Sequence, residues 1–243
     1  MASTFSKTIQ TFLSQLSKNP ALLRRDVVTS LTSIKKRLHR QCDSNSYGTG
    51  NQVTGQEACF AAALEENGFK YSSVALPPVD KGLYYIYQLN GTQRSIDFQA
   101  YDWFDGTKRS SLNFDLKYTK TDTFFLNDGW FQENIVYVIS WMRKALNSQG
   151  KMPVSRKKKV VEAATFIALG QEIPTDEEVA LYKELCAIKK KYNTDYKGAG
   201  SFHCYLRFAN TYKCDRFTPE FTDECLTKAN AFIESEKCAI KLI

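Results

Sequence analysis

The 243-residue chain has only two histidines, His39 and His203. Hydrolytic sites built on several imidazoles, such as histidine-metal nucleases and multi-histidine zinc hydrolases, are therefore disfavoured. Its seven cysteines (42, 59, 186, 204, 214, 225 and 238) are odd in number and form no C-x-x-C pair. The common zinc spacings are thus absent, and nothing suggests a secreted disulfide framework. An intracellular, reducing compartment is the expectation, in the cytoplasm or with DNA. No apolar run approaches the roughly 20 residues that span a bilayer, so no membrane partner is expected. Neither a P-loop nor a dinucleotide glycine fingerprint occurs, which leaves ATP-driven and dinucleotide chemistry without support.

What is present is a foldable, basic chain. Apolar residues make up 43% and the net charge is +7, so a globular core is the default and wholesale disorder is not. The charge is unevenly spread. Residues 1–50 hold eight Lys/Arg against two acids, residues 51–150 nine against eleven, and residues 151–243 sixteen against thirteen. Basic flanks around an acidic middle suit a protein that holds a polyanion while concentrating carboxylates at one place. An ordinary soluble protein with basic helices has the same distribution. The Ser/Thr-rich start reads either as a helical element or as an organelle transit peptide over residues 1–20.

Three regions are expected: an N-terminal helical element over 1–50, a core over 51–150, and a mostly helical region over 151–243 packed on that core. Phe5, Ile9, Phe12, Leu13 and Leu16 predict a helix over 4–17, and Leu23 to Leu38 a second. A further helix opens at Thr54. Strands are predicted over 83–90, 94–104 and 111–119, with turns at Asn90-Gly91 and Asp105-Gly106, and a short strand over 123–127. NIVYVISWMRKAL reads as strand, then helix. Helices are expected around 157–169, 175–192 and 219–236, and a strand over 202–208.

The stretch SLNFDLKYT carries chemistry. As a strand it places Leu112, Phe114, Leu116 and Tyr118 on one face, and Asn113, Asp115, Lys117 and Thr119 on the other. Asp97, in SIDF, supplies a second carboxylate from a neighbouring strand. Phosphodiester hydrolysis needs a divalent ion to neutralise non-bridging oxygens and acidify a water. Mg²⁺ prefers one or two carboxylates and retained waters. Asp97 and Asp115 are the candidate metal ligands, with the Leu116 backbone carbonyl as a further one. Lys117 is placed to orient the attacking water. Thr119 and Lys120 are candidates for the phosphate backbone. An exposed strand pair remains the structural alternative for Asp115 and Lys117.

A helix bearing Glu57, a strand with Asp97 and a strand with Asp115-Leu116-Lys117 resemble the PD-(D/E)xK nuclease superfamily, type II restriction endonucleases in particular. The resemblance spans about residues 52–145, and FFLNDGWF is similar to the segment that follows the catalytic strand there. Asp97 matches the first acid, preceded by Ile96 rather than proline. Asp115 and Lys117 match the D-x-K half, and Glu57 matches the helical acid that many members add to the metal site. Glu57 also stands three residues after Thr54, the spacing of a helix-capping box. The resemblance implies an α/β restriction-endonuclease-like core: a mixed sheet flanked by helices, with helical additions at both ends. It also implies Mg²⁺, double-stranded DNA cut to 5′-phosphate and 3′-hydroxyl ends, and a homodimer where the site read is palindromic. The alternatives are a repair or recombination nuclease of the same superfamily, and a non-catalytic nucleic-acid-binding protein.

Overall fold

Six strands form the central sheet of the computed structural model, which describes residues 3–24, 31–38, 55–73, 78–88, 96–119, 121, 123–126, 129–144, 161–196 and 210–235. They are β1 (Lys70–Tyr71), β2 (Gly82–Tyr87), β3 (Phe98–Phe104), β4 (Thr107–Tyr118), β6 (Ile135–Lys144) and β7 (Val161–Leu169), side by side in that order. β5 (Thr123–Phe125) and β8 (Thr211–Lys213) form a separate antiparallel pair. The large sheet is mixed. β1 runs parallel to β2 and β4 parallel to β6, while the other neighbours are antiparallel.

The strand β3 turns into β4 at Asp105-Gly106, whose φ values of 48° and 77° are those of a two-residue hairpin turn. Glycine takes the second position without steric cost. The Asn90-Gly91 turn and the 202–208 strand expected from sequence lie outside the described residues.

Helices α1 (Thr4–Lys18), α2 (31–38) and α3 (Gly55–Glu66) send their apolar residues into one core cluster. Phe60 of α3 is its hub, with ring centroids 5.1 Å from Phe12, 4.9 Å from Phe98 and 5.2 Å from Phe114. Each such fully buried side chain contributes about 1.5–3 kcal/mol. A second cluster joins Tyr137, Ile139 and Trp141 of β6 and Phe166 of β7 to Phe124, Phe131, Tyr212 and Phe217. Successive side chains of a strand point to opposite faces, so the even residues of β4 serve the first cluster and its odd residues face Tyr137's side.

Helix α5 (Pro219–Glu234) places Cys225 in the second cluster and Ala229 and Ile233 in the first. Its start is capped by the Thr218 hydroxyl, which accepts the Phe221 amide at 3.3 Å, with proline at the first position. Helix α4 (Asp176–Tyr196) opens with a capping box. The Thr175 hydroxyl accepts the Glu178 amide, and the Glu178 carboxylate accepts the Thr175 amide at 2.7 Å.

One expected helix is a strand. Residues 161–169 pair antiparallel with β6, from Val136–Leu169 through Lys144–Val161. VEAATFIAL lacks alternation because Thr165, Phe166, Ile167, Ala168 and Leu169 are all buried, so both faces of this strand are covered. The sheet is thereby completed by a strand from the region expected to be mostly helical. No helix among the described residues is long and apolar enough to cross a membrane.

Candidate active site

Asp97 stands one residue beyond the last ladder pair of β3 and β4, Phe98 with Phe114. Continuing that antiparallel register sets Asp97 opposite Asp115. The Asp97 amide, however, donates to the Phe114 carbonyl at 2.9 Å, one residue short of that register, so the regular ladder stops here. Its side chain then folds onto β4, where Oδ2 accepts the Leu116 amide at 2.7 Å. The carboxylate thus takes over a backbone donor where β3 gives out. On the far side of β4, Asp115 is level with Tyr137 of the parallel strand β6.

The two acids and the lysine converge as the spacing demands. Lys117 Nζ donates to Asp115 Oδ1 at 2.5 Å. Asp115 is only 2% exposed, whereas Asp97 and Lys117 are half-buried, so the open side of the cluster is theirs. Burial, and after it the facing Asp115 carboxylate, push Asp97 up to about 7, against the pull of Lys117 and the Leu116 amide. Burial also raises Asp115, against Lys117 and hydrogen bonds from Asp97 and Tyr137. Two like groups in one desolvated place do not both ionise readily.

Tyr137 belongs to the site, although nothing in the sequence pattern marks it. Its hydroxyl accepts the Gln132 amide at 3.0 Å and bonds the Asp115 carboxyl. Burial and then the Asp115 charge raise the phenol far above its ordinary range, so it keeps its proton for donation. The close fit of Gln132 and Tyr137 depends on Gly170. A Cβ there would stand 2.1 Å from the Gln132 carbonyl oxygen and 2.9 Å from Tyr137 Cε2.

Glu57 is not brought into this cluster. Its carboxylate accepts the Tyr87 hydroxyl at 2.8 Å. Tyr87 packs on Phe98, on the α3 side of the sheet. Among the described residues, no group of three or more His, Cys, Asp or Glu side chains is arranged to hold a metal. The candidate ligand set is therefore narrower than expected: Asp97, Asp115 and the Leu116 carbonyl. The neighbour Gln56 makes the contact instead, its Nε2 donating to the Lys117 carbonyl at 3.2 Å and the Ser140 hydroxyl at 3.4 Å. A buried amide at the start of α3 so fixes the end of β4. Thr54, the expected cap, lies outside the described residues, as does Lys120. Thr119 is buried, and its hydroxyl donates to the Thr123 carbonyl at 2.7 Å, which removes it from the phosphate contacts expected of it.

Compared with models of known protein families, with curated proteins and with solved structures, the chain matches none. The chemistry of the site rests on its own geometry.

That geometry extends along the same sheet face. Gln99 Nε2 donates to Asn113 Oδ1 at 2.9 Å, and Lys108 Nζ donates to Gln99 Oε1 at 2.7 Å. These groups form a polar ladder on β3 and β4, one step along each strand from the acidic pair.

Proposed function

We propose that this chain is a Mg²⁺-dependent endonuclease of double-stranded DNA, sequence-specific in the manner of type II restriction enzymes, on a restriction-endonuclease-like core. The observation that carries the reading is the meeting of Asp97, Asp115 and Lys117 at one end of the β3–β4 pair. The donor set fits a hard divalent cation. The buried Asp115 carboxyl, bonded to the Lys117 ammonium, and the half-buried Asp97 carboxyl stand together, and burial and then the Asp115 charge raise Asp97. Mg²⁺ commonly takes one or two carboxylates and keeps its waters.

In this reading Asp97, Asp115 and the Leu116 carbonyl hold the ion, which supplies charge neutralisation at the scissile phosphate and a more acidic water. Asp97 gives up its proton on loading. Asp115 is kept in place by Tyr137 and by Lys117. Lys117, half-buried at the open side, orients the attacking water and meets the charge that develops on the phosphate. Gln56 holds the end of β4 so that Lys117 keeps its position. Lys108, Gln99 and Asn113 offer the DNA backbone a polar track beside the reacting group. A homodimer accompanies the activity where the site read is palindromic.

A second reading has an observation of its own. Asp97 caps the Leu116 amide and Asp115 pairs with Lys117, so every acid of the cluster has a partner without any ion. The acids are then structural, and the chain is a nucleic-acid-binding protein. Plasmid incubated with the purified protein and Mg²⁺ separates the possibilities. Discrete fragments support the restriction reading. Structure-selective nicking favours a repair or recombination nuclease of the same superfamily, and retarded but intact plasmid favours binding alone.

A further inference from the structure

Helix α4 turns only part of its surface to the rest of the molecule. Tyr182 stacks on Trp130 at 4.4 Å with a 10° interplanar angle, and Glu178 accepts from the Tyr212 hydroxyl at 3.1 Å. Taken at 100° per residue, Leu181 and Ile188 lie about 20° apart on the helix, and the half-buried Leu185 lies between them and the face that carries Glu178 and Tyr182. Leu181 is 56% exposed and Ile188 50%. Large aliphatic groups at this spacing on a surface helix form the seam of a helix–helix contact.

The charges along α4 say which helix fits. Residues 176–184 hold four acids and one lysine, and residues 185–192 hold three lysines and no acid. A helix with an acidic first half and a basic second half is complementary to itself when turned end for end. The same division suits the dipole of α4, but the dipole does not call for an aliphatic stripe between the charges.

We infer that α4 pairs antiparallel with α4 of a second copy of this chain across the Leu181–Leu185–Ile188 stripe. With the two-fold axis beside Cys186 and Ala187, Leu185 of each copy meets Ile188 of the other. Glu184 then comes within reach of Lys191 of the other copy, and symmetry makes that contact twice. A 21-residue helix is about 30 Å long. One such pair buries less than a standard interface, so the association is of the weak, concentration-dependent kind. The pairing stands apart from the chemistry proposed for Asp97 and Asp115.

Sedimentation velocity across a concentration series tests it, with far-UV circular dichroism to confirm that each variant is folded. The wild-type chain is expected to shift from monomer to dimer as concentration rises. Ile188→Glu, at an exposed position, should weaken dimerisation about tenfold or more. Glu184→Lys and Lys191→Glu should each weaken it, and the double exchange should restore it. A chain monomeric throughout the series overturns the inference. So does a dimer that Ile188→Glu leaves intact, or charge variants that the double exchange does not rescue. Plasmid cleavage by a strictly monomeric chain would reject the pairing and leave the proposed hydrolysis standing.

Discussion

Asp97, one residue past the last ladder pair of β3 and β4, brings its carboxyl to that of Asp115, and its Oδ2 accepts the Leu116 amide at 2.7 Å. The acids meet because β3 ends there. One more ladder residue would have met the Leu116 amide with backbone instead of a carboxylate.

This placement makes stability pH-dependent. The Asp97 carboxyl is raised from 3.8 to about 7 on folding. A raised folded value means that the folded chain holds the proton more tightly than the unfolded one. Its contribution is fully present below about pH 4 and is lost as the pH rises through about 7. Asp97→Asn keeps an acceptor for Leu116 without the charge. Without divalent ions, the variant should match wild type near pH 4 and gain on it towards pH 8, by a few kcal/mol at most. Thermal unfolding from pH 4 to 8 with chelator present checks this, and a pH-independent difference would count against it.

Lys117→Ala removes the group assigned to the attacking water while leaving the acids in place. Cleavage of plasmid should fall at least about a hundredfold, while retention of DNA in a gel-shift assay should persist. Turnover at the wild-type rate would discard the role of Lys117.

Glu57→Gln should behave differently from substitutions in the cluster. The side-chain amide introduced by this change keeps an oxygen to accept the Tyr87 hydroxyl, so both stability and cleavage should stay within about twofold of wild type. Gln56→Ala, in contrast, frees the end of β4 and should lower kcat. A loss of cleavage in Glu57→Gln as deep as that of Lys117→Ala would place Glu57 in the chemistry after all.

Gly170→Ala drives a methyl into the Gln132 carbonyl at 2.1 Å and towards the Tyr137 ring. Backbone has to give way, at a cost of about 1–3 kcal/mol or more, and Tyr137 is displaced from Asp115. Chemical denaturation should show the lost stability. Undiminished stability would show that the Gln132 segment moves freely.

Much of the site was legible because it depends on local pattern. The alternation of SLNFDLKYT sorted Phe114 and Leu116 from Asp115 and Lys117, and Asp105-Gly106 marked the turn that brings Asp97 back. Three features were not local. Tyr137 reaches Asp115 through a parallel pairing with a strand twenty-two residues further along, which no sequence spacing announces. Gln56 and Glu57 are adjacent on α3, and only the orientation of the helix decides which touches β4. The strand β7 is covered on both faces, and a run of buried Ala, Phe, Ile and Leu has no period by which to tell strand from helix.

Calorimetric titration of Mg²⁺ into the protein at pH 6, where Asp97 still holds its proton, tests most directly whether Asp97 and Asp115 hold a divalent ion. Wild type should bind one ion per chain with release of a proton, seen as a dependence of the heat on buffer ionisation, and Asp97→Asn should lose that signal. Equal binding by the two proteins, or none by wild type, would contradict it.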